Sequence, residues 1–226
     1  LRNARGELHP NPVNAANFIK KKGINSVTIH LREDRRHIKD IDAKRICKIK
    51  GLKVNLEIST KYDMVKNALK IRPNFVCIVP ENRKEITTEG GLNLEKNEKK
   101  IKKIINKFKK KNIRTSLFIN PKTKDIFLSQ KLGSDCIEIH TGTFSNLVKS
   151  KKKYSKEFSK IKRCSILAKS IGLEVHAGHG LDYNSTKILC KIPQIEEFNI
   201  GHFIIGESIF YGLDKVIKNF KKIINQ

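Results

Sequence analysis

The sequence predicts an α/β protein: a (β/α)8 barrel of the TIM type, with parallel strands and its first strand apparently missing. Three observations predict it. Seven short apolar stretches alternate with helix-patterned stretches in one unbroken series, and such alternation means parallel strands joined by helical crossovers. Strand after strand carries a polar residue out of step with its apolar neighbours, namely His30, Glu57, then Glu138 and His140, then His176, then Asn199. A doubly wound sheet would gather its polar groups near one switch point, whereas a barrel collects them at the C-terminal ends of many strands. The barrel reading takes residues 1–226 as one N-terminally truncated domain, a size at which a full core can be buried.

The elements follow in order. NPVNAANFIKKKG opens with Asn11 as N-cap and Pro12 at the first helical position, and closes with Gly23. NSVTIHL (25–31) alternates Val27, Ile29 and Leu31 against Thr28 and His30, as a strand does. A helix is predicted around 39–48, then the strand KVNLEIS (53–59). Thr60 and Asp63 stand in capping-box spacing for a helix over 61–71. NFVCIV (74–79) is a nearly continuous apolar strand, and a long loop over 80–97 follows it. Ile101, Ile104, Ile105 and Phe108 recur at i, i+3, i+4, i+7, a 3.6-residue period. TSLFI (115–119) is a strand, 125–131 a short helix, and DCIEIH (135–140) a strand; one lysine-rich helix then runs to about 171. LEVHA (173–177) and EEFNI (196–200) are the last strands, with a helix over 184–191 between them. The final helix carries Leu213, Val216, Ile217, Phe220, Ile223 and Ile224 on one face.

A net charge of +26 raises the question of a polyanionic partner. The 48 basic residues divide into 38 Lys and 10 Arg, and the lysines lie along helix faces amid many Ile and Asn. A genome biased towards A and T yields that mixture, so a lysine-coated surface accounts for it. With no Trp, 7% aromatic residues and no aromatic–basic interleaving, the chain lacks the stacking groups of a nucleic-acid binder. Five cysteines, spaced far apart with no CxxC pair, suit a reducing cytoplasm. No apolar run approaches the ~18 residues of a membrane span.

The arginines are the more informative cations, and half precede residue 37. HLREDRRH (30–37) places three of them between two histidines directly after a strand. Glu57 lies opposite the helix-facing Val54, Leu56 and Ile58, so it points into the barrel mouth. There partial desolvation raises a carboxylate's pKa and suits it to general-base work; a structural Glu paired with an Arg is the plainer alternative. AGHGL sets His179 between two glycines after one strand, and NIGHFIIG sets Gly201 and His202 after the next. Glycine turns and a short helix N-terminus at these positions form the recurrent phosphate site of such barrels. A metal reading groups His176, His179, His140 and Glu138, but no HExxH or cysteine cluster accompanies them, and no metal or cofactor is expected. Another phosphosugar aldolase or isomerase on the same barrel would call for a Schiff-base lysine at a strand end, and none is well placed.

HLREDRRHI, NLE, VPE-x-R-x-E-x-TTEGGL, EIHTG, AGHGL-x-Y and NIGHFIIG occur in this order and together closely resemble the pyridoxine 5'-phosphate synthase family over essentially the whole chain. The resemblance implies a (β/α)8 barrel assembled as a homo-octamer. It implies condensation of 1-deoxy-D-xylulose 5-phosphate with 3-amino-2-oxopropyl phosphate to pyridoxine 5'-phosphate, phosphate and water. It further implies that His30 and Glu57 accept protons and His179 donates one. Arg32, His37 and Thr87 would hold the deoxyxylulose phosphate, and Arg5, Gly180, Gly201 and His202 the aminooxopropyl phosphate. The loop 80–97, with Thr87 and a Gly90–Gly91 hinge, has the length of a lid. Two departures stand out. The family's first-strand Asn-x-Asp-His-x-Ala-Thr motif has no counterpart here, so a longer gene product is expected, and His176 stands where the family commonly has Asn.

Overall fold

Asn11 does what its position promised: its side-chain oxygen accepts from the amides of Val13 (2.9 Å) and Asn14 (3.4 Å), and Pro12 starts the helix. The computed structural model describes residues 2–81 and 90–225. The chain divides into two compact units, one of residues 1–88 and 97–116, the other of residues 89–96 and 117–226.

The first unit begins with α1 (Arg2–Arg5) and α2 (Pro12–Lys21) and continues β1 (Ser26–His30), α3 (Asp40–Ile46), β2 (Lys53–Ile58), α4 (Tyr62–Ile71) and β3 (Phe75–Ile78). It also holds most of α5 (Leu94–Lys109) and the start of β4 (Arg114–Ile119). The second unit contains the rest of β4, then α6 (Thr123–Leu132), β5 (Cys136–His140), α7 (Gly142–Lys149) and α8 (Ser155–Ser170). It closes with β6 (Glu174–Gly178), α9 (Tyr183–Leu189), β7 (Glu197–Asn199), α10 (His202–Tyr211) and α11 (Leu213–Ile224).

The seven strands are parallel and neighbour one another in chain order, β1 to β7. A doubly wound sheet reverses its strand order at a switch point; the described strands run β1 to β7 without such a reversal, the order of an α/β barrel. Burial agrees. On β2, Val54, Leu56 and Ile58 are buried on one face, and Asn55 is buried on the other. Two covered faces are what an all-parallel sheet requires. The periodic face of α5 is likewise inside, with Ile101, Ile104, Ile105 and Phe108 all buried.

Three local expectations differ from the structure. The N-cap of α4 is Lys61, with no side-chain bond to the helix. Thr60 therefore lies one residue too early for a capping box, and Asp63 serves only as an acid in the positive first turn. A reciprocal box forms instead on α9, where Asp182 accepts from the Ser185 amide and Ser185 Oγ from the Asp182 amide, both at 2.8 Å. Second, the single lysine-rich helix is two, α7 and α8. Residues 150–153 offer nothing apolar to bury, and Lys151 adopts a left-handed φ of 53°. Third, Gly91 is less a hinge than a close approach. A Cβ there would lie 2.3 Å from the Asn120 amide nitrogen, and the Gly91 amide donates to Asn120 Oδ1 at 3.1 Å.

No helix among the described residues is long and apolar enough to cross a membrane, and no disulfide joins the described cysteines. Because Phe108 is fully buried, Phe108→Ala should lower unfolding stability by about 3–5 kcal/mol, measured as a reduced urea midpoint.

Candidate active site

The register of β1 on β2 pairs His30 with Glu57, so both side chains emerge on one face at the C-terminal end of their strands. Leu31 N donating to Glu57 O (3.1 Å) carries the pairing one residue past the strand. His30 Nδ1 lies 3.4 Å from Glu57 Oε2, and its Nε2 lies 3.8 Å from Glu81 Oε2. The imidazole thus stands between two carboxylates. They are not equivalent. Burial pushes the Glu57 carboxyl above its usual range, against a smaller opposing pull from His30. Burial also pushes Glu81 up, but the His30 contact and a 2.8 Å bond from the Glu33 amide outweigh it, leaving Glu81 below the usual range. One carboxyl is poised to hold a proton, the other to stay charged.

The three arginines of HLREDRRH separate in function. Arg32 is buried. It forks onto Asp34 at 3.3 and 3.2 Å, with its Nε 3.8 Å from Glu81 Oε1. Desolvation alone would raise Asp34, but hydrogen bonds from Arg32 and Arg36 hold it well below the carboxylate range. Arg35, at a left-handed φ of 57°, turns away to Asp40 (2.7 and 3.2 Å) and donates to Arg32 O at 2.7 Å. Arg36 clamps Asp34 at 2.9 Å. Arg32 comes within 3.8 Å of Glu81, the carboxylate that faces His30, and its fork is already occupied by Asp34. His37 sits edge-on to His30, ring centroids 5.3 Å apart. Though exposed on its outer side, its ring is lowered to about 4 by desolvation and then by the charges of His30 and Arg32. Arg5 is exposed at the end of α1. That helix is held beside the loop by an Arg2–Asp42 ion pair and by Asn3 Nδ2 donating to Arg35 O at 2.8 Å. Thr87 lies outside the described residues.

In the second unit, Thr141 of EIHTG donates through its hydroxyl to the carbonyls of Gly178 and His179, each at 2.7 Å, and so anchors AGHGL. His179 adopts a left-handed φ of 78°, a conformation a non-glycine residue takes only under local constraint. Its ring packs 4.7 Å from Phe118 and 5.5 Å from His140. Burial lowers the His140 pKa. Gly178 admits no side chain, since a Cβ would lie 2.1 Å from Glu138 Oε1, and Asn199 donates to Glu138 Oε2 at 2.7 Å. Gly180 (φ 73°) lies against Ser145 and Gly142. Gly201 is the N-cap of α10 and His202 its first residue, both exposed. The metal grouping weighed from the sequence and set aside there, His176 and His179 with His140 and Glu138, is not among the ligand clusters of the described residues. Among the described residues, the side chains close enough to share an ion are Cys136, Glu174 and His176, because His176 turns towards Glu174 at 2.8 Å.

Sequence reasoning missed Glu81 and Phe118. The position of Glu81 just beyond β3 offered a signal, the same polar residue at a strand end that marked His30. Phe118 offered none, being one apolar residue within an apolar strand.

A parallel α/β barrel that gathers carboxylate–imidazole contacts at its strand ends places polar groups where enzymes of this fold carry their active sites. The comparisons specify the family. Residues 1–226 match the model of the family described as Pyridoxal phosphate biosynthesis protein PdxJ, and the chain belongs to that family. It is 60% identical over 226 residues to pyridoxine 5'-phosphate synthase of Pelagibacter ubique, covering 100% of this chain and 95% of that one. It is 45% identical to the enzyme of the same name from Aliarcobacter butzleri, covering 99% and 94%. A monomeric phosphoribosylanthranilate isomerase from Thermotoga maritima shares the fold at 12% identity, with a TM-score of 0.59 over 94% of this chain and 93% of its own.

Two measurements check the site's physics. A raised folded-state pKa for Glu57 means that its charge costs stability above that pKa, and the cost vanishes below the unfolded value, where both states are protonated. Glu57→Gln should therefore raise the urea midpoint at neutral pH, with the gain shrinking as pH falls through the carboxylate range. Gly178→Ala should lower stability by about 1–3 kcal/mol, read in the same titration, because Glu138 must yield its position.

Proposed function

We propose that this chain is a pyridoxine 5'-phosphate synthase, condensing 1-deoxy-D-xylulose 5-phosphate with 3-amino-2-oxopropyl phosphate. The observation that carries the reading is the largely buried Glu57, its carboxyl raised by desolvation, 3.4 Å from the His30 imidazole, which Glu81 approaches on its other nitrogen. The amine of one substrate condenses with the ketone of the other as an imine, so no enzyme nucleophile is required. Carbon acids must then lose protons while water and phosphate depart, and the ring closes and aromatises. Glu57 and His30 are the proton acceptors on this reading, and His179 is the donor. A carboxyl with a raised pKa suits that task, since a base works best when its pKa lies near the operating pH.

Arg32, His37 and Thr87 are assigned to the deoxyxylulose phosphate. A substrate phosphate would take over part of the Arg32 fork from Asp34, and arginine's planar donors suit either partner. Arg5, Gly180, Gly201 and His202 are assigned to the aminooxopropyl phosphate, with the amides at the start of α10 as anion donors. The active form is proposed to be a homo-oligomer, an octamer, in the cytoplasm. An aldolase working through a strand-end lysine is disfavoured, since none of the seven described strands ends in lysine.

Purified protein given both substrates without added metal should form the fluorescent pyridoxine product. Glu57→Gln should lose at least about 100-fold in kcat while remaining folded by circular dichroism, and unchanged turnover would refute the assigned base. Glu81→Gln, which removes the charge flanking His30, should lower kcat and shift the pH–rate profile, whereas a purely structural role would leave that profile in place.

A further inference from the structure

At the N-terminal ends of β5 and β6, the opposite ends of these strands from His140 and Gly178, three potential ligands of different chemistry come together. Cys136 opens β5, Glu174 opens β6, and the two are register partners. His176, two residues along β6, points to the same face. The Cys136 sulfur, a Glu174 carboxylate oxygen and a His176 ring nitrogen all lie within 4.8 Å of one another. Cys136 and His176 are buried, while a quarter of the Glu174 side chain reaches solvent and leaves an approach.

We propose that Cys136, Glu174 and His176 form a zinc site at the base of the sheet. The two ring nitrogens of His176 face different carboxylates. Nε2 lies 2.8 Å from Glu174 Oε1, and Nδ1 lies 3.8 Å from Oε1 of Glu197, the register partner of His176 on β7. A histidine that ligates metal commonly gives its other nitrogen to a carboxylate, which fixes tautomer and ring orientation. Glu197 is the carboxylate placed for that role, and a closure of its 3.8 Å separation from Nδ1 to hydrogen-bond distance completes it while Nε2 faces the ion. Metal–ligand bonds of about 2.0–2.3 Å in tetrahedral geometry separate the ligand atoms by about 3.3–3.7 Å. Shifts of about an ångström in the three side chains reach that arrangement. A thiolate, an imidazole and a carboxylate together favour zinc over magnesium or calcium, which take oxygen ligands. On binding, the thiol proton leaves to solvent, and the fourth position is left to water. At the N-terminal end of barrel strands such an ion ties β5 to β6 rather than entering the reaction. A Glu174–His176 hydrogen bond with Cys136 as a small apolar neighbour would explain two of the three residues and leave the thiol's position to chance.

The test uses the whole chain, stripped with a chelator and titrated with Zn2+ by calorimetry and with Co2+ by absorption. A single equivalent should bind, with a thiolate-to-cobalt charge-transfer band and a rise in melting temperature on adding zinc. Cys136→Ser should abolish the band, and both it and His176→Asn should weaken zinc binding by about 10–100-fold. Should either variant fail to fold, Glu174→Gln, at a partly exposed position, should weaken binding within the same range. Absence of the cobalt–thiolate band in wild type, or zinc affinity unchanged by the substitutions, would mean adventitious surface binding and overturn the site. Turnover measured separately without metal keeps this outcome distinct from the fate of the proposed reaction.

Discussion

The register of β1 against β2 is the constraint on which the first half of the site depends. One residue of slip would turn every side chain to the opposite face, and His30 would leave Glu57 for the helix layer. Held in register, a carboxyl that burial drives towards its neutral form stands 3.4 Å from the His30 imidazole. The sheet holds this arrangement through backbone hydrogen bonds and the buried faces of Val54, Leu56 and Ile58. The His30–Glu57 pair is therefore tied to the core beneath it.

Charge around that pair is graded. Acids of the loop after β1 and of the first turn of α3 hold the neighbouring arginines. Asp40 draws Arg35 outward, Asp34 is clamped between Arg32 and Arg36, and Asp42 receives Arg2. These acids are held low by their hydrogen-bonded guanidinium partners, and Arg32 is the arginine of the loop that is fully buried. On the proposed assignment, a phosphate at Arg32 would meet a cation whose geometry Asp34 already sets, and would displace that acid. Preorganisation of this kind lowers the entropy cost of binding.

In the second unit, absent side chains do comparable work. Gly178 leaves room for Glu138, Gly142 for His140, and Gly180 for the approach of α7. The Thr141 hydroxyl then fixes the carbonyls of Gly178 and His179, and the backbone presents His179 in a conformation few non-glycine residues adopt. The motif EIHTG thus serves AGHGL, two segments nearly forty residues apart, by hydrogen bonding and by the space its glycine leaves.

By itself the sequence determined whatever depends on neighbours along the chain. The Asn11–Pro12 start of α2, the seven strand positions, the buried stripe of α5, the strand-end placement of His30 and Glu57 and the glycines around His179 all follow from local periodicity and residue chemistry. Only the tertiary structure decided matters that depend on register between strands or on competition among like residues. Which of the arginines at 32, 35 and 36 is buried follows the positions of Asp34 and Asp40. Glu81 became a partner of His30, and Phe118 a wall for His179, because strands distant in sequence brought them there. The junction between α7 and α8 was fixed by a left-handed lysine with nothing apolar around it to bury. His176 joined Cys136 and Glu174 rather than the rim histidines, because side-chain direction along β6 and its pairing with β5 and β7 outrank similarity of residue type.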